Sequence, residues 1–208
     1  MDWSVVIPVK RLALAKTRLA GGTAADLALT FAVDTVTATL ATPGVARVVV
    51  VCADDRAVGV LRALGAEVVG EPPAPGLNAA LLGGTAHARP GTALAALPSD
   101  LPALRAVELA QALAAAAEHP RAYLADTTGM GTTLLCAAPG VPLDPHYGPG
   151  SAYRHRHSGA VPLTGDWPTV RHDVDTPADL TAARRLGLGP ATQATLATLA
   201  APTIAACQ

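Results

Sequence analysis

Short apolar runs alternate with segments of helical periodicity along most of the chain. Residues 4–9 (SVVIPV), 45–53 (VARVVVVCA) and 66–69 (AEVV) are rich in valine, and residues 54–64 between the last two have the pattern of a helix. A near-continuous apolar run is typical of a parallel strand that helices cover on both faces. The order of strand, helix and strand therefore predicts an α/β protein with helices on a mostly parallel sheet.

Further elements follow from the same patterns. We expect helices over residues 77–89, interrupted or ended near Gly83 and Gly84, over 103–119 before Pro120, over 151–157, and over 176–186, where a threonine cap precedes a proline. We expect strands over residues 92–98, 121–125, 132–137 and 169–174. Residues 190–208 are rich in Ala and Thr with weak periodicity, so they are a peripheral helix or partly disordered. The expected division is a domain over 1–189 and a tail over 190–208.

Asp100 occupies an uncommon position at the end of an apolar strand. Residues 92–102 (TALAALPSDLP) end in Pro102, which has no N–H group for a sheet ladder. In open α/β sheets, ligands bind beyond the carboxyl ends of the strands, so an acid there can hold a cation against a phosphate. The alternative is that Asp100 caps the following helix.

Asp173 and Asp175 form a second pair of acids at the end of a predicted strand. Residues two apart in an extended chain project from the same face, and paired acids can share a divalent cation. The alternative for Asp175 is a favourable interaction with the dipole of the helix that begins after Thr176. Together with Asp100, the pattern indicates carboxylates at two strand ends that hold Mg²⁺ between phosphates.

Positive charge gathers in the loop after the first strand. Lys10 and Lys16 are the only lysines in the chain, and Arg18 lies in the same loop. Flexible ammonium groups there would bind a triphosphate, although a solvated basic loop is the alternative. The loop is no Walker A motif, because it lacks the glycines and the GK[ST] ending.

Two glycine-rich turns are candidate anion sites. Residues 126–133 (DTTGMGTT) and 148–151 (GPGS) combine exposed N–H groups with hydroxyls, and the second precedes a predicted helix. Such turns are also common without a ligand. Two candidate anion sites, a basic loop and three acids together suggest that the protein binds two phosphorylated ligands.

The composition limits the classes of partner. The 208 residues carry a formal net charge of −1, half are hydrophobic and 3% are aromatic, so nothing indicates nucleic acid or an anionic membrane as a partner. No apolar run reaches the about 20 residues of a membrane span and no basic n-region is present, so we expect a cytoplasmic protein. Three widely separated cysteines argue against a disulfide framework.

Two rival chemistries use the same residues. His146, His155, His157 and His172 are potential zinc ligands of a hydrolase, but their spacing matches no HExxH-type motif. A Ser/His/Asp hydrolase is also disfavoured, because no serine lies in a GxSxG elbow.

Several ordered motifs together resemble the phospholactate/phosphoenolpyruvate guanylyltransferase family, which makes the precursor of the deazaflavin coenzyme F420. They are IPVKRLALAKTRL, GLNAAL at residues 76–81, LPSDLPAL around Asp100, GMGTTLL at 129–135, PHYGPGS ending at Ser151, and DVDTPADL from Asp173. The resemblance spans residues 4 to about 187. It implies a three-layer, Rossmann-like nucleotidyltransferase fold related to the GT-A glycosyltransferases, and GTP as the donor.

The resemblance also implies roles for individual residues. Asp100, with Asp173 and Asp175, would hold Mg²⁺; Thr133, Gly148 and Ser151 would bind the acceptor; and Lys10, Lys16 and Arg18 would meet the triphosphate, with Asp100 and Lys16 as catalytic residues. Residues 72–78, with Asn78, would lie against guanine and ribose. Tyr147 stands where the family pattern has Phe.

The acceptor implied by the resemblance is phosphoenolpyruvate or 2-phospho-L-lactate. The composition, rich in Ala, Arg and Gly and poor in Lys, suggests a high-GC bacterium and favours phosphoenolpyruvate by association, with a deazaflavin-precursor transferase as the downstream partner. Other readings remain: a GTP-sensing subunit without turnover, or a nucleotidyltransferase for a sugar phosphate or a molybdopterin.

Overall fold

A seven-stranded sheet forms the centre of the protein, in a computed structural model that describes residues 1–10 and 24–200. The strands are β1 (Trp3–Val9), β2 (Val45–Cys52), β3 (Glu67–Val69), β4 (Ala93–Ala96), β5 (Arg121–Ala125), β6 (Thr132–Ala137) and β7 (Val161–Pro162), in the spatial order β3-β2-β1-β4-β6-β5-β7. Neighbouring strands are parallel except that β6 runs antiparallel to both β4 and β5. The mostly parallel sheet predicted from the valine-rich runs is confirmed.

Helices cover both faces of this sheet. They are α1 (Ala24–Leu40), α2 (Asp55–Ala63), α3 (Leu77–Thr85), α4 (Ala106–Ala116), α5 (Ser151–His157), α6 (Pro168–Arg171), α7 (Pro177–Leu186) and α8 (Pro190–Ala200). One core layer joins the sheet to α1, α2, α4 and α6, and a second joins it to α3 and α5. Alternate residues of β1 divide between the layers, since Val5 and Ile7 lie in the first and Val6 in the second. The three-layer architecture implied by the resemblance is therefore confirmed.

The sequence predicted that the helix from residue 77 would be interrupted or end near Gly83 and Gly84, and α3 includes both glycines but ends directly after them. A methyl group at position 84 would overlap with the side chains of Val6 and Val51. The glycine allows α3 to approach the sheet closely, and this packing compensates for the low helix propensity of glycine. The helix ends at Thr85 and not at Arg89.

The predicted strand over residues 169–174 is wrong. Residues 168–171 form the short helix α6, with Pro168 at its first turn, and residues 172–175 follow without joining the sheet. Proline favours a helix start because its φ angle suits the helix and its missing N–H would have no partner there. Val170 is buried where α6 packs on the sheet, and Val174 is buried among residues of α1 and α7, so neither is buried by strand pairing.

The first eleven residues of the predicted tail form α8, which packs on α1. The buried carboxylate of Asp34 accepts hydrogen bonds from the backbone N–H groups of Ala191 (3.0 Å) and Thr192 (2.8 Å). An acid from another helix therefore caps α8. The division of the chain at residue 189 stays a prediction. In the described part, no helix is both long and apolar enough to cross a membrane.

Candidate functional site

The order of the sheet changes direction at β1, which lies between β2 and β4. Such a point in a parallel sheet leaves a crevice at the carboxyl ends of the strands. Lys10 directly follows β1, and Asp100 lies four residues after the end of β4. The fold thus brings a predicted triphosphate contact and a predicted metal ligand to the same edge. Lys16 and Arg18 lie outside the described residues.

Asp100 and Asp173 are brought together by the segment that follows α6. The N–H of Val174 donates a hydrogen bond to the carbonyl oxygen of Asp100 at 3.0 Å, and the Val174 side chain is fully buried. Asp173 is half-buried, whereas Asp175 is exposed. The carboxylate Oδ1 of Asp100 is itself buried.

The pKa of Asp173 is raised from 3.8 to about 7. Burial of the carboxyl is the largest cause, followed by the negative charges of Asp100 and Asp175, with a smaller contribution from Asp126. A carboxylate in this environment gains from any cation that neutralises it. The influence of Asp126 also shows that the glycine-rich loop 126–131 lies within electrostatic range of the acids.

No complete metal cage exists in the described part of the chain. Among residues 1–10 and 24–200, no group of three or more His, Cys, Asp and Glu side chains is placed to hold an ion. Magnesium commonly binds one or two carboxylates and takes its other ligands from substrate phosphates and water. The juxtaposed acids Asp100 and Asp173 fit that kind of site.

A cavity of about 270 Å³ opens beside Lys10 at the ends of β1 and β2. Its walls are mostly apolar, and it is lined by Pro8, Val9, Lys10, Val51, Glu71, Pro72, Ala74, Pro75, Gly76, Leu77 and Ala80. Apolar walls with a few polar groups are typical of a small-molecule site. The segment predicted to lie against the base and ribose thus forms much of the wall of this cavity.

Asn78 makes a two-way contact with the backbone of Tyr147. Its Oδ1 accepts from the Tyr147 N–H at 2.8 Å, and its Nδ2 donates to the Tyr147 carbonyl at 3.2 Å. The side chain therefore ties α3, beside the cavity, to the long loop before α5. A direct contact of Asn78 with a nucleotide stays a prediction.

The three predicted acceptor residues come from β6, the loop and α5. Thr133 has a buried hydroxyl that forms no hydrogen bond within the described residues. Ser151 begins α5 and is also buried. Gly148 is exposed with φ at 124°, a left-handed value that glycine adopts without strain.

The loop that contains Gly148 is held in place from α5. Arg154 donates from Nε to the His146 carbonyl at 3.0 Å and from Nη1 to the Pro149 carbonyl. The neighbouring loop is fixed as well, because the Ala152 N–H donates to the Met130 carbonyl at 3.1 Å. Both glycine-rich turns are therefore anchored to the same short helix.

The histidines do not form the zinc site that the sequence left open. His155 is fully buried and uses both ring nitrogens in hydrogen bonds, to Thr132 (2.9 Å) and to the N–H of His146 (2.9 Å). His172 is bonded through Nε2 to the carbonyl of Asp179. The sequence pattern predicted neither the His155 contacts nor the Asn78 contacts, because each depends on residues that only the fold brings together.

Comparison with known proteins agrees with this geometry. Residues 24–152 match the model of the MobA-like NTP transferase domain. A nucleotidyl transferase from Methanothermobacter superposes with a TM-score of 0.62 at 21% identity, over 95% of this chain and 99% of that one. The matched domain model and the fold together define a nucleotidyltransferase.

Closer relatives specify the family. The chain is 54% identical to the phosphoenolpyruvate guanylyltransferase of Streptomyces coelicolor, over 96% of this chain and 98% of that protein. It is also 54% identical to the enzyme of the same name from Salinispora arenicola, over 97% and 96% of the two chains. The chain belongs to the phosphoenolpyruvate guanylyltransferase family.

Proposed function

We propose that the protein transfers GMP from GTP to phosphoenolpyruvate, which yields enolpyruvyl-2-diphospho-5′-guanosine and diphosphate in the biosynthesis of coenzyme F420. The observation that carries the proposal is the juxtaposition of Asp100 and Asp173 at the edge of the sheet where Lys10 and the apolar cavity also lie. The two acids offer a cation site at the same edge as the cavity proposed for the base. The names of relatives with half of their residues in common supply the two substrates.

Mg²⁺ is the proposed cofactor, and it would be held by Asp100 and Asp173 with Asp175 at the exposed side. When bound, the ion neutralises charge on the phosphates of the donor and of the departing diphosphate. The raised pKa of Asp173 supports this role. A bound divalent cation would neutralise two neighbouring, partly buried carboxylates, whose negative charges otherwise repel each other.

The cavity beside Lys10 is the proposed site of guanine and ribose, in contact with residues 72–78. Its apolar walls suit the faces of a purine, and Lys10, which lines the cavity, is proposed to meet the triphosphate. Lys16 and Arg18 are proposed to add positive charge to the same triphosphate, and Lys16 to act as a catalytic residue that stabilises charge at the α-phosphate.

The acceptor is proposed to bind between β6 and the loop before α5. The buried hydroxyl of Thr133, the N–H of Gly148 and the start of α5 at Ser151 offer hydrogen-bond donors and no carboxylate. A molecule with one phosphate and one carboxylate, such as phosphoenolpyruvate, matches such a site. Both glycine-rich turns are held rigidly, which favours a defined position of the acceptor.

The proposed reaction is a single in-line displacement. An oxygen of the acceptor phosphate attacks the α-phosphorus of GTP, the bond to the β-phosphate breaks, and diphosphate leaves with its electron pair. No covalent enzyme intermediate is needed, since the acceptor phosphate is already an anionic nucleophile. The protein contributes position and electrostatic stabilisation.

The test is release of diphosphate from GTP in the presence of Mg²⁺, in parallel reactions with phosphoenolpyruvate, with 2-phospho-L-lactate, or without acceptor. The product should pass at once to the deazaflavin-precursor transferase, the proposed downstream partner. An Asp166→Asn variant is a matched control, because Asp166 is exposed and lies outside the proposed site.

Release with phosphoenolpyruvate alone would support both the reaction and the acceptor. Release with 2-phospho-L-lactate alone would keep the mechanism and overturn the acceptor. GTP binding without release in any reaction would contradict the enzyme and favour a GTP-sensing subunit.

A further inference from the structure

A buried polar chain connects α5 to the first residue of β6. The Nδ1 of fully buried His155 lies 2.9 Å from Thr132 Oγ1, and Ser151 Oγ donates to the same oxygen at 3.2 Å. Thr132 is itself buried, with 8% of its surface exposed. Polar groups are costly to bury unless their hydrogen bonds are formed, so the orientation of each group in this chain is strongly constrained.

The contacts of His155 decide which group donates. Its Nε2 lies 2.9 Å from the backbone N–H of His146, which can only donate, so Nε2 must be the unprotonated nitrogen. The ring hydrogen of the neutral imidazole is therefore on Nδ1 and points to Thr132 Oγ1. Burial, the largest cause, lowers the pKa of His155 to about 4, in agreement with a neutral ring at physiological pH.

The Thr132 hydroxyl can still donate one hydrogen bond but can accept no more. Both lone pairs of its oxygen accept hydrogen bonds, from His155 and from Ser151. Within residues 1–10 and 24–200, no protein group accepts the Thr132 hydrogen. An unused donor in a buried place is costly, and an anionic ligand would remove that cost.

A β-bulge in β6 directly follows Thr132 in the chain. In the pairing of β5 with β6, Leu124 is opposite Leu134 and Ala125 is opposite Thr132, so Thr133 is the extra residue. Regular alternation would turn Thr132 away from Thr133, yet its hydroxyl contacts α5, on the side of the sheet where Leu135 packs with Ala152. Bulges near functional sites re-aim side chains in this way.

We propose that Thr132 is a second hydroxyl donor to the anionic acceptor, next to Thr133, and that His155 is the positioning residue that sets the direction of the Thr132 hydrogen. This inference rests on the proposed function, since it assigns a residue to the acceptor side of that site. The ligand class is a small phosphorylated carboxylic acid. Binding of GTP should not depend on Thr132 or His155.

The test compares the variants Thr132→Val, Thr132→Ser and His155→Phe in steady-state release of diphosphate. Thr132→Val should raise the KM for phosphoenolpyruvate by about ten-fold or more, as expected for loss of a hydrogen bond to a charged group. Thr132→Ser keeps the hydroxyl and should restore the KM to within about three-fold of the wild type. The KM for GTP should stay within about two-fold in all variants.

His155→Phe should also raise the KM for phosphoenolpyruvate, and adding it to Thr132→Val should raise the KM no further, because His155 acts through Thr132. His157→Phe is the matched control on the same helix, since His157 is exposed and should not alter the KM for the acceptor. If His155→Phe does not fold, the two Thr132 variants decide the inference alone.

Two results would overturn the inference: a folded Thr132→Val variant with an unchanged KM for phosphoenolpyruvate, or equal increases in both KM values. If the double variant raised the KM for phosphoenolpyruvate by the product of the two single increases, His155 would act independently of Thr132. That result would contradict the positioning role of His155. A wild-type protein that releases no diphosphate with phosphoenolpyruvate would instead overturn the proposed function, and this inference with it.

Discussion

Asp173→Asn should stabilise the metal-free protein while it abolishes turnover. The carboxyl is half-buried beside Asp100 and Asp175, and its pKa is raised from 3.8 to about 7. Below pH 3.8 this group is neutral in both the folded and the unfolded chain, so it costs nothing. As the pH rises, the unfolded chain ionises first, and the cost to the folded state grows until the pH passes about 7.

The magnitude follows from that pKa difference. At about 1.4 kcal/mol for each pH unit, ionised Asp173 costs the folded state up to about 4 kcal/mol at pH 8 and under about 2 kcal/mol at pH 5. Asparagine has a similar shape and carries no charge, so the variant should recover much of this free energy at pH 8. Loss of a proposed Mg²⁺ ligand should remove activity in the same variant.

Urea denaturation with a chelator, at pH 8 and at pH 5, measures the effect as the difference in the free energy of unfolding. Asp166→Asn is the control, because it removes an exposed charge and should change stability by less than about 0.5 kcal/mol. Added Mg²⁺ should stabilise the wild type alone and so reduce the difference in the free energy of unfolding between the variant and the wild type. A variant that is no more stable than the wild type at pH 8 would refute the reasoning.

Three other outcomes are expected. Asp100→Ala should lower kcat by about 10²-fold or more, as for the loss of one preorganised electrostatic contact; near-normal turnover in a folded variant would exclude Asp100 as a metal ligand. Asp34→Ala should reduce the free energy of unfolding by about 1 to 2 kcal/mol in urea denaturation, because two N–H groups at the start of α8 lose their acceptor; an unchanged midpoint would show that α8 adds no stability through this cap. Burial lowers the pKa of His155 from 6.5 to about 4, so as the pH drops across that interval protons bind the unfolded chain first. The free energy of unfolding should therefore fall by up to roughly 3 kcal/mol. His155→Gln should remove most of this pH dependence in urea denaturation at several pH values, and a variant with the same pH dependence as the wild type would contradict the lowered pKa of His155.

The fold was predictable from the sequence wherever local pattern and tertiary environment agree. The valine-rich run of β2 has apolar residues on both of its faces, and only a strand covered on two sides buries them all. The cap at Thr176 is equally local, since Thr176 and Asp179 satisfy each other's backbone N–H groups within one turn. The strand predicted over residues 169–174 failed because Val170, which packs from a helix onto the sheet, and Val174, which packs between helices, leave the same apolar pattern as a buried strand.

Some parts of the candidate site were likewise predictable from local sequence, and others were not. Asp100 stood out in the sequence because an acid at the end of an apolar strand is uncommon, and its place at the carboxyl edge of the sheet follows from the chain direction of β4. By contrast, the contact of Asn78 with Tyr147 joins residues 69 positions apart, and no local pattern encodes it. The reach of Lys16 and Arg18 toward a triphosphate stays a prediction.

The sequence by itself determined the class of fold, the mostly parallel character of its sheet and the residue types available for the chemistry, because periodicity and strand-end position are local properties. Only the tertiary structure decided how those residues combine. Burial of Asp173, together with the negative charge of Asp100, to which the segment after α6 returns, raises the pKa of Asp173. The bulge at Thr133 turns Thr132 toward His155. Both effects arise from burial and from distances between residues far apart in the chain, which hydrophobic periodicity does not record.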